Sequence, residues 1–169
     1  MRVLLFEQDP PGRFKPILDW PDNALATTST HDLPPLAGWL ETRDIEWNQR
    51  LELIDALTER HWRETRQTEI NGLRQLLEHN YHGALQEDSS VIDASVRLLG
   101  HTRAPLVLLP LEDLLGIDEQ PNLPGTVDGH PNWRRRFALP ARDLLDDVDA
   151  ARRLELLAQA REQAWERDR

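Results

Sequence analysis

Residues 28–32 read TSTHD, and His31 beside Asp32 places an imidazole next to a carboxylate where a small, β-branched run stops and Leu33-Pro34-Pro35 begins. A titratable pair at such a junction is either the cap of a helix or one corner of an active site. Aspartate is a favoured N-cap residue, so Asp32 suits capping, with His31 bonded to nearby backbone. Three further places offer side chains for acid–base or charge-stabilising chemistry. Glu7 follows the apolar run RVLLF at residues 2–6, and Glu112-Asp113 follow PLVLLP at 105–110. The third is residues 120–136, crowded with Pro121, Pro124, Gly125, Gly129 and Pro131.

Several chemistries are excluded or disfavoured. The sequence has no cysteine, which removes thiolate catalysis, disulfides and thiolate metal sites. Ser29 stands near His31 without the glycine pattern of a nucleophile elbow, so a Ser-His-Asp triad has no support. His79 and His82 meet at helical spacing, but no acidic or sulfur partner lies at metal-ligand spacing; they read as a solvated helix end, and no metal or cofactor is expected. His61, His101 and His130 are isolated. A formal net charge of −10 speaks against nucleic acid as a partner, and Arg134-Arg135-Arg136 then read as internal ion pairs. Six tryptophans against one tyrosine and three phenylalanines suit apolar packing, with sugar faces as the other use of such rings. The apolar start is too short for a signal peptide and no stretch approaches a membrane span, so the cytoplasm is the default location.

These candidates must be held by strands and helices. RVLLF and PLVLLP read as short strands buried on both faces, as in a parallel sheet, with a third strand at 24–28. Residues 33–39 open with prolines and suit the first turn of a short helix. Helical spacing of Ile45, Leu51, Ile54 and Leu57 predicts a helix over 44–57, followed by another over 58–79 carrying Trp62, Ile70, Leu73, Leu76 and Leu77. A third helix is expected from caps at Asp88-Ser89-Ser90 to Gly100. Residues 120–136 read as an ordered irregular loop, and residues 143–169 as an amphipathic helix with Val148, Leu154, Leu157 and Ala158 on its apolar side. Helices alternating with apolar strands mean βα units, whose ligands collect at the C-terminal strand ends.

In order, THDLP at 30–34, PLEDLLG at 110–116, QPNLPGT at 120–126 and PNWRR at 131–135 resemble the C-terminal part of bacterial 4-α-glucanotransferases. These are the amylomaltases or disproportionating enzymes of glycoside hydrolase family 77, in the α-amylase clan. The resemblance implies a partial (β/α)₈ TIM barrel: residues 1–140 as roughly its last three βα units, and residues 141–169 as a C-terminal amphipathic helix packed on it. It implies that Asp32 is the transition-state-stabilising carboxylate and His31 an adjacent sugar-hydroxyl contact, with Asn122, Pro124 and Gly125 lining the same subsite. Trp133 is read as packing. The family's nucleophile and acid/base motifs do not occur in this sequence, so the isolated chain is expected to be inactive. Implied partners are α-1,4-glucans and either the missing N-terminal barrel portion or another copy of the chain; the alternative is a non-catalytic glucan-binding or partner-dependent module. Three of eight strands leave exposed edges, which favours association.

Overall fold

The computed structural model describes residues 1–81 and 88–167. His82 and the side chains of Asp88, Ser89 and Ser90, expected as caps, lie outside what is described. Three strands, β1 (Arg2–Val3), β2 (Leu25–Thr27) and β3 (Leu106–Leu108), form a parallel sheet in the order β1-β2-β3. Ala26 stands in register between Arg2 and Val107, and Thr27 between Val3 and Leu108. Six helices accompany them among the described residues: α1 (Leu36–Leu40), α2 (Arg43–Arg50), α3 (Ala56–Tyr81), α4 (Asp88–Gly100), α5 (Leu111–Leu115) and α6 (Val148–Arg167). The arrangement is a mixed α/β fold with an open parallel sheet, consistent with part of a (β/α) barrel. No described helix is long and apolar enough to cross a membrane.

Each apolar run makes less strand than its composition predicts. RVLLF is extended only over Arg2–Val3; Leu4–Phe6 then close a 3₁₀ turn, with the Glu7 N–H donating to Leu4 O at 3.1 Å. The turn at residues 9–13 folds the chain straight back, Lys15 N–H bonding Glu7 O at 2.8 Å and Gln8 bridging Phe14 antiparallel. PLVLLP is not buried on both faces. Alternate strand side chains point to opposite sides, and helices cover one side only. Val107 packs against the core there beside fully buried Ala26, while Leu106 and Leu108 on the other face remain 53% and 51% exposed.

The core lies between the sheet and α1, α3 and α4. It joins Leu4, Leu36, Trp39, Leu73, Leu77, Val91 and Leu98. Gly72 brings α3 against the turn at Gly12 so closely that a Cβ would sit 1.7 Å from Gly12 O. The helix expected over 44–57 is two pieces: α2 ends at Arg50, Glu52 takes φ +55, and Asp55 Oδ1 caps α3 by accepting the Thr58 N–H at 2.8 Å. Arg66 of α3 ties the pieces together, making a bidentate pair with Asp44 (2.9 and 2.8 Å) and donating to Trp39 O at 2.8 Å.

The C-terminal helix keeps Leu154 and Leu157 half-buried, as expected, but two other positions of its expected apolar side turn outward. Val148 is 81% exposed and Ala158 is exposed, whereas Ala150, Arg153 and Ala160 are buried. Charge decides this face. Arg153 reaches inward to Asp93 of α4 at 2.9 Å and donates to Leu114 O of α5 at 2.7 Å, and Gly100 lets α4 approach Ala160. Residues 116–140 contain neither helix nor strand, as expected of the Pro/Gly-rich segment.

Candidate active site

The loop from β2 to α1 carries His31 and Asp32, and a residue of the neighbouring βα unit holds both its ends. Asp113, in the first turn of α5, is wholly buried. One of its oxygens accepts the Thr28 hydroxyl, and the other accepts the Leu36 N–H at 2.5 Å. Between those anchors, Thr27 Oγ1 donates to Ser29 O at 2.9 Å and Ser29 Oγ to Pro34 O at 2.8 Å. The loop is a braced arch with His31 and Asp32 at its exposed apex. Because Ser29 is committed to Pro34 O, it does not serve His31 as a nucleophile.

Asp113 also overturns the capping role considered for Asp32. The N-cap of α1 is Pro35, which has no side-chain cap bond, and the open Leu36 N–H is satisfied from another element altogether. Burial pushes the Asp113 carboxyl up to about 6, outweighing the bonds from Thr28 and Leu36; Glu112 pushes the same way and Arg153 opposes it.

Asp32 is left free to face solvent. His31 Nε2 lies 3.3 Å from its Oδ2, and Asn122 Nδ2 donates to its Oδ1 at 2.6 Å. The fold therefore unites His31, Asp32 and Asn122. Pro124 and Gly125 lie at the exposed tip of the same loop, with no described hydrogen bond or ring contact to Asp32; Gly125 takes φ +81, which only glycine adopts cheaply.

One side chain organises the loop, and sequence reasoning gave it no role. Asn132 Oδ1 accepts the Leu123 N–H at 2.8 Å and faces His130 Nδ1 at 2.6 Å. Its Nδ2 donates to Thr126 O at 3.0 Å and Thr126 Oγ1 at 2.8 Å. The neighbouring Trp133 N–H bonds Pro121 O at 2.9 Å. Trp133 is not packing: it is 65% exposed, takes φ +58, and its ring lies 5.4 Å from that of His31. Of the three arginines, Arg135 makes the expected ion pair, to Glu119 at 2.9 Å, while Arg134 and Arg136 are exposed without one among the described residues.

The other candidates are structural. Glu7 is buried beside Arg2 (3.2 Å) and Lys15 (3.7 Å). His130 is buried edge-on against Trp47, and His61 and His79 are exposed on α3. No three His, Asp or Glu side chains gather to hold a metal among the described residues.

Residues 1–141 match the 4-alpha-glucanotransferase family, glycoside hydrolase family 77. The chain belongs to this family. His31-Asp32, Asp113 and the whole 120–136 loop lie within the family's matched stretch. The chain is 32% identical over 166 residues to the 4-alpha-glucanotransferase of Mycobacterium tuberculosis, a match covering 94% of this chain and 23% of that protein. To the 4-alpha-glucanotransferase of Haemophilus influenzae it is 27% identical over 147 residues, 82% of this chain and 21% of the relative. It thus spans under a quarter of the length of these curated relatives. The fold is similar to that in the crystal structure of amylomaltase from Corynebacterium glutamicum, with a TM-score of 0.76 at 24% identity over 95% of this chain and 25% of that one.

Proposed function

We propose that this chain serves in the transfer of α-1,4-glucan segments between maltooligosaccharides, supplying the carboxylate that stabilises the transition state rather than the nucleophile or the acid/base. The observation that carries this reading is the state of Asp32: relieved of capping by Asp113, exposed, and steadied by Asn122 at 2.6 Å and His31 at 3.3 Å.

The chemistry is a retaining displacement. A nucleophilic carboxylate attacks the anomeric carbon, the glycosidic C–O bond breaks, and the acid protonates the departing O4. The 4-hydroxyl of a second glucan then displaces the glycosyl ester, giving its proton to the base and restoring the nucleophile. Positive charge grows on the ring in both steps. Asp32 is suited to hold ring hydroxyls whose hydrogen bonds tighten as that charge develops, and His31 to hold a neighbouring one. Asn122, Pro124 and Gly125 line the same subsite. Residues 1–140 form the last βα units of a barrel, with α6 packed on them; the nucleophile and acid/base belong to βα units outside this sequence, in the same polypeptide or a partner.

Calorimetric titration with maltoheptaose tests the reading. The chain is expected to bind it, and His31→Ala and Asp32→Asn each to weaken binding about 10-fold, the worth of one hydrogen bond to a charged group. A chain that takes up no maltooligosaccharide overturns the proposal. Incubation with maltotriose alone is expected to release no glucose. Turnover that disappears in Asp32→Asn would instead put all three carboxylates in this polypeptide.

Leu106 and Leu108, half exposed on the open face of the sheet, favour a partner-dependent version of the same role. Light scattering tests it: self-association or poor solubility is expected, and a well-behaved monomer contradicts it.

A further inference from the structure

His130 is 3% exposed and has no part in the chemistry proposed above. Its ring stands edge-on against Trp47, the centroids 4.7 Å apart, and its Nε2 has no hydrogen-bond partner among the described residues. A buried polar atom without a partner is destabilising, so packing alone is a poor reason for a histidine here. Its other nitrogen gives a better one.

The Asn132 amide settles which nitrogen carries the hydrogen. Thr126 O can only accept and the Leu123 N–H can only donate, so the amide turns Nδ2 to the first (3.0 Å) and Oδ1 to the second (2.8 Å). Oδ1 also lies 2.6 Å from His130 Nδ1 and can only accept, so Nδ1 is the donor. All four hydrogen-bonding positions of the amide are then filled, the last by Thr126 Oγ1 at 2.8 Å.

The peptide between Asn122 and Leu123 is thereby fixed on both sides. Its N–H donates to Asn132, and its oxygen accepts from Gln120 Nε2 at 2.5 Å. Leu123 is itself buried, and its own oxygen accepts the Thr126 hydroxyl at 2.7 Å. From this fixed peptide Asn122 reaches Asp32, Nδ2 to Oδ1 at 2.6 Å.

We propose that His130 is a positioning residue for the glucan site: donating from Nδ1, it locks the Asn132 amide, and through it the peptide that aims Asn122 at Asp32. The inference rests on the glucan reading of Asp32 and deepens it. Asp32 is exposed, and a bond at an exposed site is weak when its donor must first be immobilised, because ordering a side chain costs conformational entropy. A donor carried on a backbone fixed in advance loses less. His130 is buried away from the sugar and acts on affinity only by holding Asn122 in place.

Two replacements separate this role from plain packing. An asparagine side chain puts its N–H₂ near the place of imidazole Nδ1; a glutamine puts it near that of Nε2 and leaves Asn132 Oδ1 without its donor. Both remove the contact with Trp47. In calorimetry on the full chain, His130→Gln is expected to weaken maltoheptaose about 5-fold and His130→Asn less than about 2-fold, although both unfold at lower urea. His130→Gln combined with Asn122→Ala should bind no more weakly than Asn122→Ala alone, since the two act through one bond. Proton–nitrogen correlation spectra of the unaltered chain should place the His130 hydrogen on Nδ1. A hydrogen on Nε2 alone overturns the proposal. Equal affinities in the two His130 variants, or losses that add in the double variant, overturn it and leave the Asp32 reading standing. Absence of binding in the unaltered chain overturns both readings. Circular dichroism confirms that each variant is folded.

Discussion

Replacing Asp113 tests the architecture of the site most directly. In Asp113→Ala, the buried Thr28 hydroxyl and Leu36 N–H both lose their partner. A hydrogen bond to a charged group contributes about 1.5–3 kcal/mol, and a buried group left unsatisfied costs about 1–3 kcal/mol. The two overlap, so a loss of about 3–5 kcal/mol is expected in urea unfolding. Asp113→Asn keeps an oxygen for Leu36 and offers N–H to Thr28, and should cost under about 1 kcal/mol at pH 4. The pH dependence separates the two further. Asp113 is raised from 3.8 to about 6 in the folded chain. Its contribution is fully present below pH 3.8, where both states are protonated, and is lost as pH rises through about 6, because the unfolded chain ionises first. A shift of about two units corresponds to about 3 kcal/mol. Relative to Asp113→Asn, the unaltered protein should therefore lose roughly that much stability between pH 4 and 7. Glucan affinity should follow the same ranking, Asn retaining it and Ala losing it, since the arch under Asp32 is clamped at both ends by this carboxylate. An Ala variant within about 1 kcal/mol of the unaltered protein, or an Asn variant whose stability gap stays constant with pH, would refute the reasoning.

Asn122→Ala removes the amide 2.6 Å from Asp32 and should weaken maltoheptaose roughly 5- to 10-fold by calorimetry, with little change in unfolding because the bond is exposed. Gly38→Ala would place a Cβ 2.0 Å from Asp118 O, a backbone atom that cannot yield, and should cost at least about 2–3 kcal/mol in urea unfolding or abolish soluble expression. Arg66→Ala strips the partner from Asp44 and the donor from Trp39 O, and is expected to cost about 3–5 kcal/mol; Arg66→Lys should recover only part, since an ammonium cannot make the bidentate pair.

The order of elements was legible because periodicity and turn chemistry are local. The three strand-forming runs, Gly100 at the end of α4 and the proline-rich loop stand in the sequence much as they stand in the fold. Boundaries failed where a distant partner decided them. RVLLF stops as a strand at Val3 because the turn at residues 9–13 draws the chain back on itself. α6 turns its Arg153 side inward because Asp93 and Leu114 O wait there, which no apolar count detects.

The site divides in the same way. Which residues could do chemistry followed from their types and from the motifs around His31-Asp32 and 120–136. Which of them are free to do it did not. Asp32 and Asp113 are both aspartates just beyond strands, and local rules offer Asp32 as the cap; only packing shows that Asp113 reaches across 77 residues to bond the first N–H of α1. Trp133 looked like core because buried aromatics are common. The Asn132 bonds that hold its backbone with the ring in solvent depend on loop residues meeting in space. The sequence by itself determined the family, the chemistry on offer and the order of the parts, since these reside in residue identity and short-range spacing. The tertiary structure alone decided which carboxylate is buried as a clamp and which faces solvent, because burial and hydrogen-bond partners are set by residues far apart along the chain.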